Sequence, residues 1–225
     1  MSATFLFPDS KDFSPDFKEV ARYLGYRRAT PPDTDVSALM EKAAREMADV
    51  MKPQAVFEVF TLDCPVKPDN DKYAIQDNDT KGSGTFGIEP EISFADVSLH
   101  SRDLSRNLAG CSQVALLAAT LGPQVDSLIR RHSSLNPVYA SILQATGAMY
   151  IEKLVDFVNA EIKKIAEARD LKTKPRYSPG YGDVPLQVQK DFFRLLPCTR
   201  IGLTLMDTLI MAPEKSVTAF VGLIP

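Results

Sequence analysis

The segment with the most specific chemistry is residues 176–185, Arg-Tyr-Ser-Pro-Gly-Tyr-Gly-Asp-Val-Pro. Arg176 offers a planar fork that can clamp a carboxylate or a phosphate through two parallel hydrogen bonds. Tyr177 and Tyr181 present faces for an adenine ring or a cation. Gly180 and Gly182 allow positive φ and a close approach of the backbone to a ligand. Pro179 and Pro185 reduce the entropy lost in holding one loop shape. These residue types alone leave a ligand loop and a structural turn equally open.

Other patterns carry less. Gly82-Ser83-Gly84-Thr85-Phe86-Gly87 matches the letters of a dinucleotide fingerprint, which needs a strand before it and a helix after it. Here polar residues 77–81 precede the motif, and Ile88-Glu89-Pro90-Glu91 follows it. The expectation is a loop or hairpin turn. Cys64, Cys111 and Cys198 are scattered, and His100 and His132 form no metal-ligand spacing, so no metal site is expected. No Gly-x-Ser-x-Gly elbow and no Cys–His pairing supplies a nucleophile with a base.

The elements that must position the 176–185 loop follow from pattern. Ser14-Pro15 reads as a helix cap followed by proline, with Gly25 as the stop. A second helix is expected from about Asp35 to Met51, with Leu39, Ala43, Met47 and Val50 on one face. Residues 55–62 read as a strand, and 92–94 as a short one. Short strand 86–88 and a polar loop or hairpin at 67–87 are expected between them. Ser101 caps a small helix that Gly110 ends. Residues 113–121 are apolar throughout and bounded by Cys111 and Gly122-Pro123, so a buried central strand is expected, then a helix to about His132. From Asn136-Pro137 to about Arg169 no proline recurs, so one helix of roughly 45–50 Å is expected. Its stripe is Val138, Ile142, Ala145, Met149, Leu154, Val158, Ile162 and Ile165. A last helix covers 186–196, and strands are expected at 203–211 and 216–223. The fold class is α+β, a mainly antiparallel twisted sheet packed with helices.

Arg-x-x-Pro-Gly-Tyr-x-x-x-Pro at 176–185 resembles the signature loop of the reactivation domain of cobalamin-dependent methionine synthase. A second likeness runs from Gly202-Leu203-Thr204-Leu205 through Met211-Ala212-Pro213-Glu214-Lys215-Ser216-Val217. A third is Gly110-Cys111, Ala118-Ala119-Thr120-Leu121-Gly122 and Val125-Asp126, which looks like the free-standing bacterial version of that domain. The resemblance spans about 23–222.

It implies a domain that binds S-adenosylmethionine. Arg176 would hold the ligand's α-carboxylate. The main chain around Ser178, Gly180 and Tyr181 would hold its adenosine end. Glu152 would match a family acid near the bound cofactor, where a carboxylate stabilises the sulfonium charge. On the residues alone, Glu152 and Asp156 read equally well as a solvated helix face. The family's cysteine before the last proline is Val184 here, preceded by Asp183, and its Thr-Glu-Ser triplet is Met206-Asp207-Thr208. Its N-terminal acidic contact is not locatable in the sequence, and its C-terminal aromatic contact has no counterpart before Pro225.

The resemblance implies assistance in reductive remethylation of cob(II)alamin on a separate methionine synthase. Cobalamin would come with the partner's cobalamin-binding domain, and the electron from flavodoxin or ferredoxin. The alternative is an S-adenosylmethionine-binding or docking module for another corrinoid methyltransferase, with no part in methyl transfer. One domain over 1–225 is expected, with 1–22 an N-terminal appendage and 23–225 the reactivation-domain-like core. At 225 residues a chain buries roughly 70% of its unfolded surface, enough for its own core. A net charge of −3 gives no basic stripe for nucleic acid. No apolar run approaches the ~20 residues of a membrane span. The odd cysteine count without a signal peptide fits a reducing cytoplasm.

Overall fold

The computed structural model describes residues 2–63 and 90–225. Its elements in chain order are β1 (Thr4–Leu6), α1 (Phe17–Tyr23), α2 (Thr34–Val50), β2 (Gln54–Thr61), β3 (Glu91–Phe94), β4 (Val97–His100) and α3 (Arg102–Asn107). There follow β5 (Gln113–Thr120), α4 (Pro123–Leu135), α5 (Pro137–Glu167), β6 (Lys172–Thr173), α6 (Gln189–Leu195), β7 (Thr204–Leu205), β8 (Met211–Ala212) and β9 (Ser216–Ile224). The main sheet has the order β1-β2-β5-β9-β6, with every neighbouring pair antiparallel. The α+β fold with an antiparallel sheet and one long helix is the one expected from sequence.

β5 lies at the centre and is covered on both faces, which is why its sequence is apolar without alternation. Ala115, Leu117 and Ala119 face one core with α2, α4 and α5, while Val114, Leu116 and Ala118 face the other with α3, α6 and the β3–β4 hairpin. α5 is the principal cover of the first face. At 1.5 Å per residue its 31 residues span about 46 Å. Asn136 caps it through the N–H of Tyr139 at 3.0 Å, and Pro137 sits in its first turn. Ile142, Ala145, Met149, Leu154, Val158 and Ile162 are buried along it, as the stripe requires, but in the first turn Val138 is exposed while Tyr139 and Ala140 take the buried side.

Two local readings are corrected. The cap of α1 is Asp16 and not Ser14: its carboxylate accepts from the N–H groups of both Lys18 and Glu19, where a hydroxyl two residues earlier reaches neither. The stretch 203–211 is no continuous strand. Met206 N–H bonds to the Ile210 carbonyl at 2.9 Å and Leu209 takes φ +65°, so β7 and β8 close into a tight hairpin. Residues 2–23 supply the edge strand β1 and the helix α1, which packs on α5. The Gly82–Gly87 motif, the 67–87 loop, the 86–88 strand and Cys64 lie outside the described residues.

Candidate functional site

The loop takes its position from the edge of the sheet. After α5 the chain turns back and pairs β6 with the end of β9. The pairing continues beyond β6: Lys174 N–H bonds to Gly222 O at 2.8 Å, and Tyr177 and Phe220 exchange hydrogen bonds at 3.0 and 2.7 Å. Extended backbone sends successive side chains to opposite sides. Arg176 therefore reaches α5, while Tyr177 packs against the second core.

Arg176 finds two acids there. Nη1 donates to Asp156 Oδ1 at 2.7 Å and Nη2 to Glu152 Oε2 at 3.3 Å. Glu152 and Asp156 are four apart on α5 and so share one face. Both line a cavity of 240 Å³ between α5 and α1, together with Met149 and Lys153 of α5, Asp16, and Glu19, Arg22 and Tyr23 of α1. Glu19 pairs with Arg22 at 2.8 Å, and that guanidinium lies 4.4 Å from the centre of the Tyr23 ring. Asp16, Glu19, Glu152 and Asp156 face Arg22, Lys153 and Arg176, an excess of one negative charge.

Beyond Arg176 the chain makes a compact turn. Tyr181 N–H bonds to Ser178 O at 3.2 Å, Gly180 N–H to Val184 O at 3.0 Å and Val184 N–H to Tyr181 O at 3.0 Å. Gly180 has φ +87° and Gly182 φ +52°, so both glycines are used for the conformations only glycine adopts freely. At Gly182 a Cβ would stand 2.3 Å from both Asp103 Oδ2 and Tyr177 Oη. The ring of Tyr181 is 69% exposed, a bare aromatic face beside the turn. Burial, and then the charges of Asp103 and Asp183, push the Tyr177 phenol up from its ordinary pKa.

Of the residues read from sequence, the structure brings Arg176 and Glu152 into direct contact. Ser178, Gly180 and Tyr181 form the adjoining turn and do not line the α1–α5 cavity. Sequence reasoning missed the contribution of α1. Asp16, Glu19 and Tyr23 reach the site only because α1 docks on α5, and no local pattern announces that docking. Among the described residues no group of three or more His, Cys, Asp or Glu side chains is placed to hold a metal ion. Burial raises the Cys111 thiol and pushes Cys198 up to about 12, so neither offers a thiolate at neutral pH. No helix among the described residues is long and apolar enough to cross a membrane.

No known family profile matches the chain, and no curated protein matches it by sequence. Its fold is similar to that of the MetH reactivation domain. The crystal structure of that domain bound to AdoHcy superposes with a TM-score of 0.64 at 13% identity, over 99% of this chain and 78% of that one. At that identity the likeness establishes the fold. The curled antiparallel sheet and the long helix that carries Glu152 and Asp156 belong to it.

Proposed function

We propose that this chain binds S-adenosylmethionine with the loop around Arg176 and the adjoining acids of α5 and α1. The observation that carries the reading is the pairing of Arg176 with Glu152 and Asp156, two of the acids that line the α1–α5 cavity. The amino-acid end of the ligand bears a carboxylate, an ammonium and a sulfonium. An arginine fork suits the first, and carboxylates suit the other two. Binding requires Arg176 to exchange one of its α5 partners for the ligand carboxylate, which frees Glu152 or Asp156 to meet positive charge. The cavity holds only part of such a ligand, so the adenosine would lie over the 178–181 turn against the exposed face of Tyr181. The likeness to a domain solved with AdoHcy supports the same ligand class.

The finer reading is that the chain assists reductive remethylation of cob(II)alamin on a separate methionine synthase. One electron from a flavodoxin or ferredoxin and the methyl group of S-adenosylmethionine together yield methylcobalamin and leave S-adenosylhomocysteine. The cobalamin belongs to the partner's domain. This chain's residues bind and orient the methyl donor, which lowers the entropic part of the barrier. A reducing cytoplasm is the compartment where such chemistry and unpaired thiols coexist.

The test adds the protein to an inactive cob(II)alamin methionine synthase that lacks its own reactivation domain, with reductant and S-adenosylmethionine present. The reading expects the methylcobalamin absorbance to recover only when this protein is present. Binding of S-adenosylmethionine without recovery would instead favour a binding or docking module for another corrinoid methyltransferase.

A further inference from the structure

Three polar anchors hold the 176–185 loop to neighbouring elements, beside the burial of Val184 in the second core. Tyr177 is stitched to β9, and Arg176 is paired with α5. The third anchor is Asp183, whose carboxylate crosses to the start of α3. It accepts hydrogen bonds from Ser101 Oγ, from the Arg102 N–H at 2.7 Å and from the Asp103 N–H at 3.3 Å. The first N–H groups of a helix have no partner within it. Here a loop residue 81 positions away supplies one. Charge-assisted bonds of this kind are about twice as strong as neutral ones.

α3 does not depend on Asp183 for its cap. Ser101, fully buried, already accepts from the Leu104 N–H at 3.0 Å. The bonds from the Arg102 and Asp103 N–H groups to Asp183 lie at the surface, where water can take the carboxylate's place. What Asp183 adds therefore falls on the loop. Without it, the 178–184 turn keeps its three internal hydrogen bonds, the buried Val184 in the core that also holds Leu104, and the close approach of Gly182 to Asp103, but loses its charge-assisted grip on α3.

We propose that Asp183 is a positioning residue of the ligand loop: by gripping the first turn of α3 it holds the 178–184 turn in its binding shape. Affinity for S-adenosylmethionine then depends on a carboxylate that never touches the ligand, because ordering the loop in advance removes that cost from binding. The inference rests on the S-adenosylmethionine reading above for its ligand, but not for its account of the loop.

The test compares wild type with Asp183→Ala and Asp183→Asn by titration calorimetry with S-adenosylmethionine, thermal unfolding, and hydrogen exchange of the ligand-free proteins. Asp183→Ala is expected to bind about tenfold more weakly at a temperature where it is folded, with Asp183→Asn between the two. Amides of 178–184 are expected to exchange faster in the alanine variant. An unchanged affinity beside a lowered unfolding temperature would overturn the proposal, because Asp183 would then serve only α3. If wild type itself binds no S-adenosylmethionine, the functional reading fails and hydrogen exchange decides alone. Faster exchange at 178–184 supports the anchor, and faster exchange confined to 102–104 contradicts it. Should the alanine variant not fold, Asp183→Asn carries the same comparisons.

Discussion

Arg176 and Asp156, 20 positions apart, are joined at 2.7 Å across the gap between the sheet edge and α5. The pair is exposed on the Asp156 side, at 68%, so water competes for it. Exposed pairs contribute about 0–1 kcal/mol. Asp156→Asn is therefore expected to cost no more than about 1 kcal/mol in denaturant unfolding. A loss of several kcal/mol would mean the pair holds the fold together and is not free to exchange partners with a ligand.

The excess negative charge of the site favours the sulfonium over the neutral thioether. S-Adenosylmethionine is expected to bind about two- to fivefold more tightly than S-adenosylhomocysteine, an increment of about 0.5–1 kcal/mol for a partly exposed charge. Calorimetry at two ionic strengths checks it. The preference should shrink in high salt, and a preference for the thioether at low salt would contradict the charge argument.

A side chain at Gly182 is costly. Its φ of +52° strains any other residue, and an added Cβ would meet Asp103 Oδ2 and Tyr177 Oη at 2.3 Å. Gly182→Ala is expected to lose about 1–3 kcal/mol of stability, measured by chemical denaturation. Gly202, also at positive φ, has nothing within 4 Å of the same added atom, so Gly202→Ala meets only the backbone strain and should cost less.

Stability at low pH should report Asp183. Burial works against its charge, but the hydrogen bonds from Ser101, Arg102 and Asp103 outweigh it and hold the carboxyl below its ordinary value of 3.8. Asp103, whose N–H donates to Asp183, and Tyr177, whose phenol feels its charge, are titratable groups beside it. A carboxyl lowered in the folded state adds stability that is complete above its unfolded pKa and disappears as pH falls through the folded one. The gap in stability between wild type and Asp183→Asn is therefore expected to stay constant from neutral pH to about 5 and to close below about 4. A gap that closes between pH 7 and 5 would assign the effect to another group.

The parts of the fold legible in the sequence are those fixed by local chemistry. β5 is announced by an apolar run between Cys111 and Gly122, and α5 by Asn136-Pro137 and the absence of proline up to Lys174. Ser101 as a cap is equally readable, because its hydroxyl acts three residues away. The parts that were not legible depend on distant partners. Ser14-Pro15 satisfies the rules for a cap, but the carboxylate of Asp16 serves two N–H groups and wins. Residues 203–211 carry enough apolar side chains for a strand, yet Asp207-Thr208 forms the tip of a hairpin. Within the site, Arg176 stands out by residue type. Asp16 and Glu19 do not, because their role arises when α1 packs on α5. Asp183 shows in the sequence only as a departure from a family pattern, and its reach to α3 is visible only in three dimensions.

The most direct measurement of the central claim is calorimetric titration of the purified protein with S-adenosylmethionine, beside the Arg176→Ala variant. The account predicts saturable binding by wild type and a loss of about 1.5–3 kcal/mol in the variant, the worth of charged hydrogen bonds to the ligand carboxylate. No heat of binding at millimolar ligand by folded wild type, or equal affinity in the two proteins, would contradict it.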